Sequence, residues 1–77
     1  MLIGNIPKLT KEQCRVLDEI IDGGEIQKDF ENGKYVYTLY KDNGNTEIIR
    51  HDTFERLKET ELIKLKYHLS IDVERWA

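Results

Sequence analysis

The chain has 77 residues, 39% of them hydrophobic and 35% charged, with 12 Lys and Arg against 15 Asp and Glu and a net charge of −3. This length allows a single domain of residues 1–77, and the composition is compatible with folding and is not the signature of disorder. The acidic balance counts against a DNA-binding surface, whose affinity rests largely on neutralising phosphates, and a domain this small buries only about 60% of its unfolded surface, leaving little room for a deep substrate pocket.

Residues 1–9 read as an extended lead-in, because Pro7 disfavours helix at Ile6. The first ten residues lack a basic stretch followed by a long apolar one, so no secretory signal is expected. No apolar run approaches the roughly 20 residues of a membrane span. A helix is expected over 11–22, with Thr10 as N-cap and Gln13 completing a capping box. Cys14, Leu17 and Ile21, widened by Val16 and Ile20, form its core stripe, and Gly23-Gly24 closes it. Cys14 is the single cysteine, so no intramolecular disulfide forms. That suits a reducing, cytoplasmic setting.

Asn32-Gly33 and Asn43-Gly44 each predict a two-residue hairpin turn between β-prone segments. The strands then run over 25–31, 34–41 and 46–50 as an antiparallel meander. The expected pairs are Phe30–Tyr35, Lys28–Tyr37 and Ile26–Leu39 in the first hairpin, and Leu39–Ile48 and Tyr37–Arg50 in the second. Ile26, Phe30, Tyr35, Leu39 and Ile48 fall on one apolar face, while Val36, Thr38 and Ile49 fall on the other. Asp52, with Glu55 three residues on, predicts a second capped helix over 53–61 with Phe54 and Leu57 inward. Leu65, Tyr67, Leu69, Ile71 and Val73 alternate with polar residues and predict one half-buried strand over 65–73. The fold class is α+β in the order α-β-β-β-α-β, with the meander packed on two helices.

Leu9 to Leu17 with Gly23-Gly24, then Thr53 to Leu57, Glu61-Leu62-Ile63 and Tyr67 to Ser70, make the chain resemble small winged-helix-like domains, phage and prophage proteins among them. The resemblance implies that the second helix would be the recognition helix, exposing Thr53, Glu55, Arg56, Lys58, Glu59 and Glu61. The chain departs from the pattern in three ways: Glu61 stands where a glycine is usual, a meander replaces the tight helix-turn-helix, and no second wing strand is expected.

Cys14 is the one nucleophile candidate, and its place on the core stripe makes it a small apolar residue instead. His51 and His68 lack the short-spaced partners of a zinc site. No glycine-rich phosphate loop or Ser-His-Asp order occurs. No enzyme activity, cofactor or metal is therefore expected, and no membrane association. The Lys28, Tyr37 and Arg50 row and the Lys64, Lys66 and His68 row are candidate contacts for nucleic acid or an acidic partner. Tyr40 and Trp76 are candidate protein or homodimer contacts, since the other tyrosines belong in the core. Asp18, Glu19 and Asp22, with Glu55, Glu59 and Glu61, make an acidic helical surface. The expected function is a non-enzymatic binding or regulatory module, with a protein partner fitting the charge better than nucleic acid. The alternative is a phage- or mobile-element-encoded inhibitor of a host nucleic-acid enzyme, of the anti-defence or anti-CRISPR type, acting through the acidic helix faces.

Overall fold

The computed structural model describes residues 8–77, so the expected lead-in over 1–7 lies outside the described residues. Helix α1 spans Lys11–Ile21, strands β1, β2 and β3 span Glu25–Glu31, Lys34–Tyr40 and Thr46–Ile49, and helix α2 spans His51–Glu59. Strands β4, Leu65–Ser70, and β5, Val73–Trp76, complete the order. The five strands form one antiparallel sheet in the order β3-β2-β1-β5-β4. Both helices cover one face of it, and the core between the layers is Val16, Ile26, Tyr37, Leu39, Ile49, Phe54, Leu57 and Ile63.

Helix α1 begins as the sequence predicts. Thr10 accepts from the Gln13 amide at 3.1 Å while the Gln13 side chain accepts from the Thr10 amide at 3.0 Å, so two otherwise orphaned donors are satisfied. Its far end closes with Gly24 N donating to Glu19 O at 2.9 Å and Gly23 N to Ile20 O at 3.0 Å, the pairing of a Schellman motif. The buried stripe is centred on Val16, with Leu17 and Ile20 packed beside it. Cys14 and Ile21 lie on the far side of the helix from that centre and are exposed, because a residue two before Val16 sits about 160° round a 3.6-residue helix. The placement of Cys14 in the core stripe is thereby corrected.

The two hairpins differ. Asn32 and Gly33 take φ 51° and 78°, the two positive values of a type I′ turn, and the β1–β2 pairs from Glu25–Tyr40 to Glu31–Lys34 match the expected register. Gly44 takes φ 91°, but Lys41 N donates to Asn45 O at 2.9 Å and Gly44 N to Lys41 O at 3.0 Å. That is a three-residue loop whose last residue is left-handed. The added residue shifts β3 by one, so Tyr37 faces Ile49 and Thr38 faces Ile48. A one-residue shift exchanges the faces of a strand. Ile49 is therefore buried and Ile48 is 67% exposed, the reverse of the expected assignment.

Phe30 and Tyr35 share the core side but lie at the distal end of their hairpin, beyond the helices, and remain about half exposed. They stack edge to face at 5.0 Å. Helix α2 starts at His51 with Arg50 as its cap residue and no side-chain capping bond, and Asp52 pairs with Arg50 at 3.1 Å instead of capping. The helix ends at Glu59, and Glu61 follows in the left-handed region at φ 61°. That reversal places Ile63 in the core, 1% exposed.

The expected single strand over 65–73 is a hairpin. Ser70 pairs with Val73 across the two residues Ile71 and Asp72, and β5 returns between β4 and β1. Trp76 then lies opposite Ile26 and meets Phe54 edge to face at 5.3 Å. Phe54 in turn stacks on Tyr37 at 4.5 Å. Folding back brings the largest side chain of the segment against the core, which a continuous strand would leave far from it.

Candidate functional site

The cations expected to form a nucleic-acid or acidic-partner surface are dispersed. Lys28 stands on the helix-covered side, its Nζ 4.4 Å from the centre of the Tyr35 ring. The shifted β3 register sets Ile49 rather than Arg50 across from Tyr37, so the Lys28, Tyr37 and Arg50 row does not form. Arg50 follows β3 at one edge of the sheet, whereas Lys64 and Lys66 lie with β4 at the other. The second row is broken by register shifts between Leu65 and Tyr67 and between His68 and Ser70. His68 is paired with Glu74, which shares the face of Lys28, while Lys66 reaches Glu25 on the opposite, uncovered face.

Tyr40 and Trp76 are both half-buried. Tyr40 lies beneath the Arg75 guanidinium, 4.4 Å from its ring centre. Trp76 is packed against the core, and its Nε1 donates to Glu74 at 2.9 Å. Of the acidic candidates, Glu59 and Glu61 are exposed, while Glu55 is partly covered and lies 3.7 Å from Lys58. His51 is exposed, but its Nδ1 is hydrogen-bonded to the buried Tyr37 hydroxyl at 2.8 Å, a tie that satisfies the only polar atom of a core ring. Burial raises the Tyr37 phenol above its ordinary pKa.

The uncovered sheet face carries a charged network. Glu25 accepts from Lys66 Nζ at 2.6 Å and from Arg75 at 2.8 Å. Arg75 also donates to Gln27 at 2.9 Å, and Gln27 donates to Asp29 at 3.1 Å. The Lys66 hydrogen bond, then that of Arg75, holds the Glu25 carboxyl below the usual range, and Glu25 in turn raises Lys66. A second network fastens the other end of the sheet to α1. Arg15 bonds both Glu12 and Glu47, Lys41 lies 3.1 Å from Glu47, and both carboxyls are lowered, chiefly by the Arg15 hydrogen bonds.

Strand β4 is the feature that these contacts leave open. It pairs with β5 on one side and is the last strand of the sheet on the other. All six of its residues are exposed, including Leu65, Tyr67 and Leu69, and Ile71 at the hairpin tip is 92% exposed. At its start a shallow cleft of about 350 Å³ is lined by Lys58, Glu61, Ile63, Lys64, Leu65 and Trp76. The sequence names these residues but hides the arrangement, because alternation suits a half-buried strand and an exposed edge strand equally. The turn residues Ile71-Asp72 also lack the Asn-Gly or other glycine-containing signal of a two-residue hairpin.

No helix of the described residues is long and apolar enough to cross a membrane. Among the described residues, no His, Cys, Asp and Glu side chains are grouped as metal ligands. Comparison with known proteins finds no match: no family model, no curated protein and no solved structure is similar to this chain.

Proposed function

We propose that the protein is a non-catalytic binding module that takes a protein partner along the free edge of β4. The observation that carries this reading is an edge strand with every residue exposed and bulky apolar side chains at Leu65, Tyr67 and Leu69. An edge strand presents unpaired backbone donors and acceptors. An extended segment from another protein can satisfy them by adding a strand, with the side chains of the edge selecting the partner.

The scattered cations support a protein rather than a nucleic acid. Arg50 and Lys66 stand at opposite edges of the sheet and make no single basic surface. If the winged-helix resemblance made α2 a recognition helix, the exposed Glu59 and Glu61 beside it would repel phosphate.

Affinity capture with cross-linking tests the proposal. The Tyr67→Ser/Leu69→Ser variant should keep the native amide spectrum and lose the partner that wild type retains, whose cross-links map to β4. Reversal of Glu55, Glu59 and Glu61 to Lys should leave capture intact. Retention by the β4 variant, or loss on reversing the acidic residues, would move the site to the helix faces and favour the inhibitor reading.

A further inference from the structure

Resting on the edge-binding reading, we infer that the strand accepted by β4 is acidic: an extended protein segment alternating aliphatic side chains with Asp or Glu, one apolar side chain seating in the cleft beside Trp76. The chain is acidic as a whole, yet the stretch from Ile63 to Ile71 contains Lys64, Lys66 and His68 and no carboxylate. The carboxylates facing it do not cancel this. Glu25 is shared between Lys66 at 2.6 Å and Arg75 at 2.8 Å and Glu74 lies opposite His68, so Lys64, Lys66 and Arg75 still exceed the two carboxylates by one charge. Arg75 is further engaged by neutral Gln27.

The cleft is lined by apolar Ile63, Leu65 and Trp76, with Lys58 and Lys64 set against Glu61, and Glu55 lies 3.7 Å from Lys58. Leu65 is paired with Trp76 on the helix-covered side of the sheet. An added strand would therefore set a side chain opposite Leu65 at the cleft, while its neighbours in sequence met the lysines. Main-chain pairing then supplies affinity, the cleft selects one apolar residue, and the cations select the flanking charge.

The same pattern disfavours a second copy of the chain. A two-fold axis that keeps both helix layers on one side centres an antiparallel pairing on a residue. Centred on Lys66, it sets Lys66 against Lys66 and Lys64 against His68. Centred on Leu65, it sets Lys64 against Lys66. Like charges directly opposed across strands are destabilising, and an acidic strand removes that opposition in both registers.

The test uses the full chain and three fluorescein-labelled synthetic peptides of strand length. All share one alternating valine and leucine framework, with Glu, Gln or Lys at the intervening positions. Binding is read by anisotropy at low and high salt, and its location by amide shifts. The Glu peptide should bind about 10-fold or more tighter than the Gln peptide at low salt, shift the amides of residues 64–70, and lose its advantage as salt rises. Lys64→Gln/Lys66→Gln should remove the preference without altering the rest of the spectrum. Equal β4 shifts from all three peptides would overturn the charge inference and leave the edge reading standing. Absence of β4 shifts with every peptide would take the edge reading down as well. Shifts of β4 that follow protein concentration alone would assign the edge to a second copy and overturn the acidic partner.

Discussion

The two outer strands of the sheet are finished in opposite ways. β3 is four residues long, with Ile49 in the core and Glu47 tied to Arg15 of α1 and to Lys41. β4 is two residues longer, exposed throughout, paired in the sheet with β5 alone, and tied to β1 by the Lys66–Glu25 contact. One edge commits Glu47 and Ile49 to the fold and leaves a single apolar side chain, Ile48, outside, and the other leaves several bulky apolar side chains exposed. Stability and binding therefore belong to different ends of one sheet, and substitutions at the two ends should separate them.

The largest effect is expected where β3 meets the core. Ile49→Ala should cost about 2–5 kcal/mol, as buried Ile→Ala changes do, whereas the adjacent Ile48→Ala should stay within about 0.5 kcal/mol. Urea unfolding of the pair checks the register directly, since a two-residue turn at Asn43-Gly44 would exchange the two values. Next comes Trp76→Ala, at about 2–3 kcal/mol, less than full burial of the indole would give. Loss of β4 and β5 amide protection ahead of the rest would accompany it, because Trp76 is what anchors that hairpin to Phe54.

Smaller effects follow from the backbone and from charge. Glu61→Gly should raise stability by about 0.5–1 kcal/mol in thermal unfolding, since the left-handed conformation at Glu61 is unfavourable for a residue with a Cβ. The lowered carboxyls of Glu12, Glu25 and Glu47 make stability depend on acid. A carboxyl with a folded pKa below its unfolded value stabilises fully above the unfolded value, about 4.3 for Glu. It loses that contribution as pH falls through the folded value. The urea midpoint should be level from neutral pH to about 5 and fall below about 4. Glu25→Gln should flatten part of the fall and cost under about 1 kcal/mol at neutral pH, since water screens such pairs. At the β4 end, Leu69→Ser and Ile71→Ser should change stability by no more than about 0.5 kcal/mol.

This separation also explains what the residues disclose in advance. Thr10 with Gln13, Asn32-Gly33 and the apolar parity of Ile26 and Leu39 are local signals, and each predicts its element correctly. Asn43-Gly44 is ambiguous because the same dipeptide fits the centre of a two-residue turn and the end of a three-residue loop. Adjacent Ile48 and Ile49 satisfy either register, and contact of Ile49 with the helices decides. The β4–β5 hairpin depends on Trp76 reaching Phe54 across the fold, a long-range contact that outweighs the uninterrupted alternation over 65–73. The candidate edge was thus half legible: its residues stood out by their pattern, but their exposure depended on how the following residues fold back.

Residue-resolved amide hydrogen exchange of the free protein, repeated with the acidic peptide, tests the open edge most directly. β1, the central strand of the five, should be the most protected, while the β4 amides not bonded to β5 exchange near the unprotected rate and slow when the peptide is added. Uniform protection along β4 in the free protein would mean that the edge is already closed, and would contradict the account.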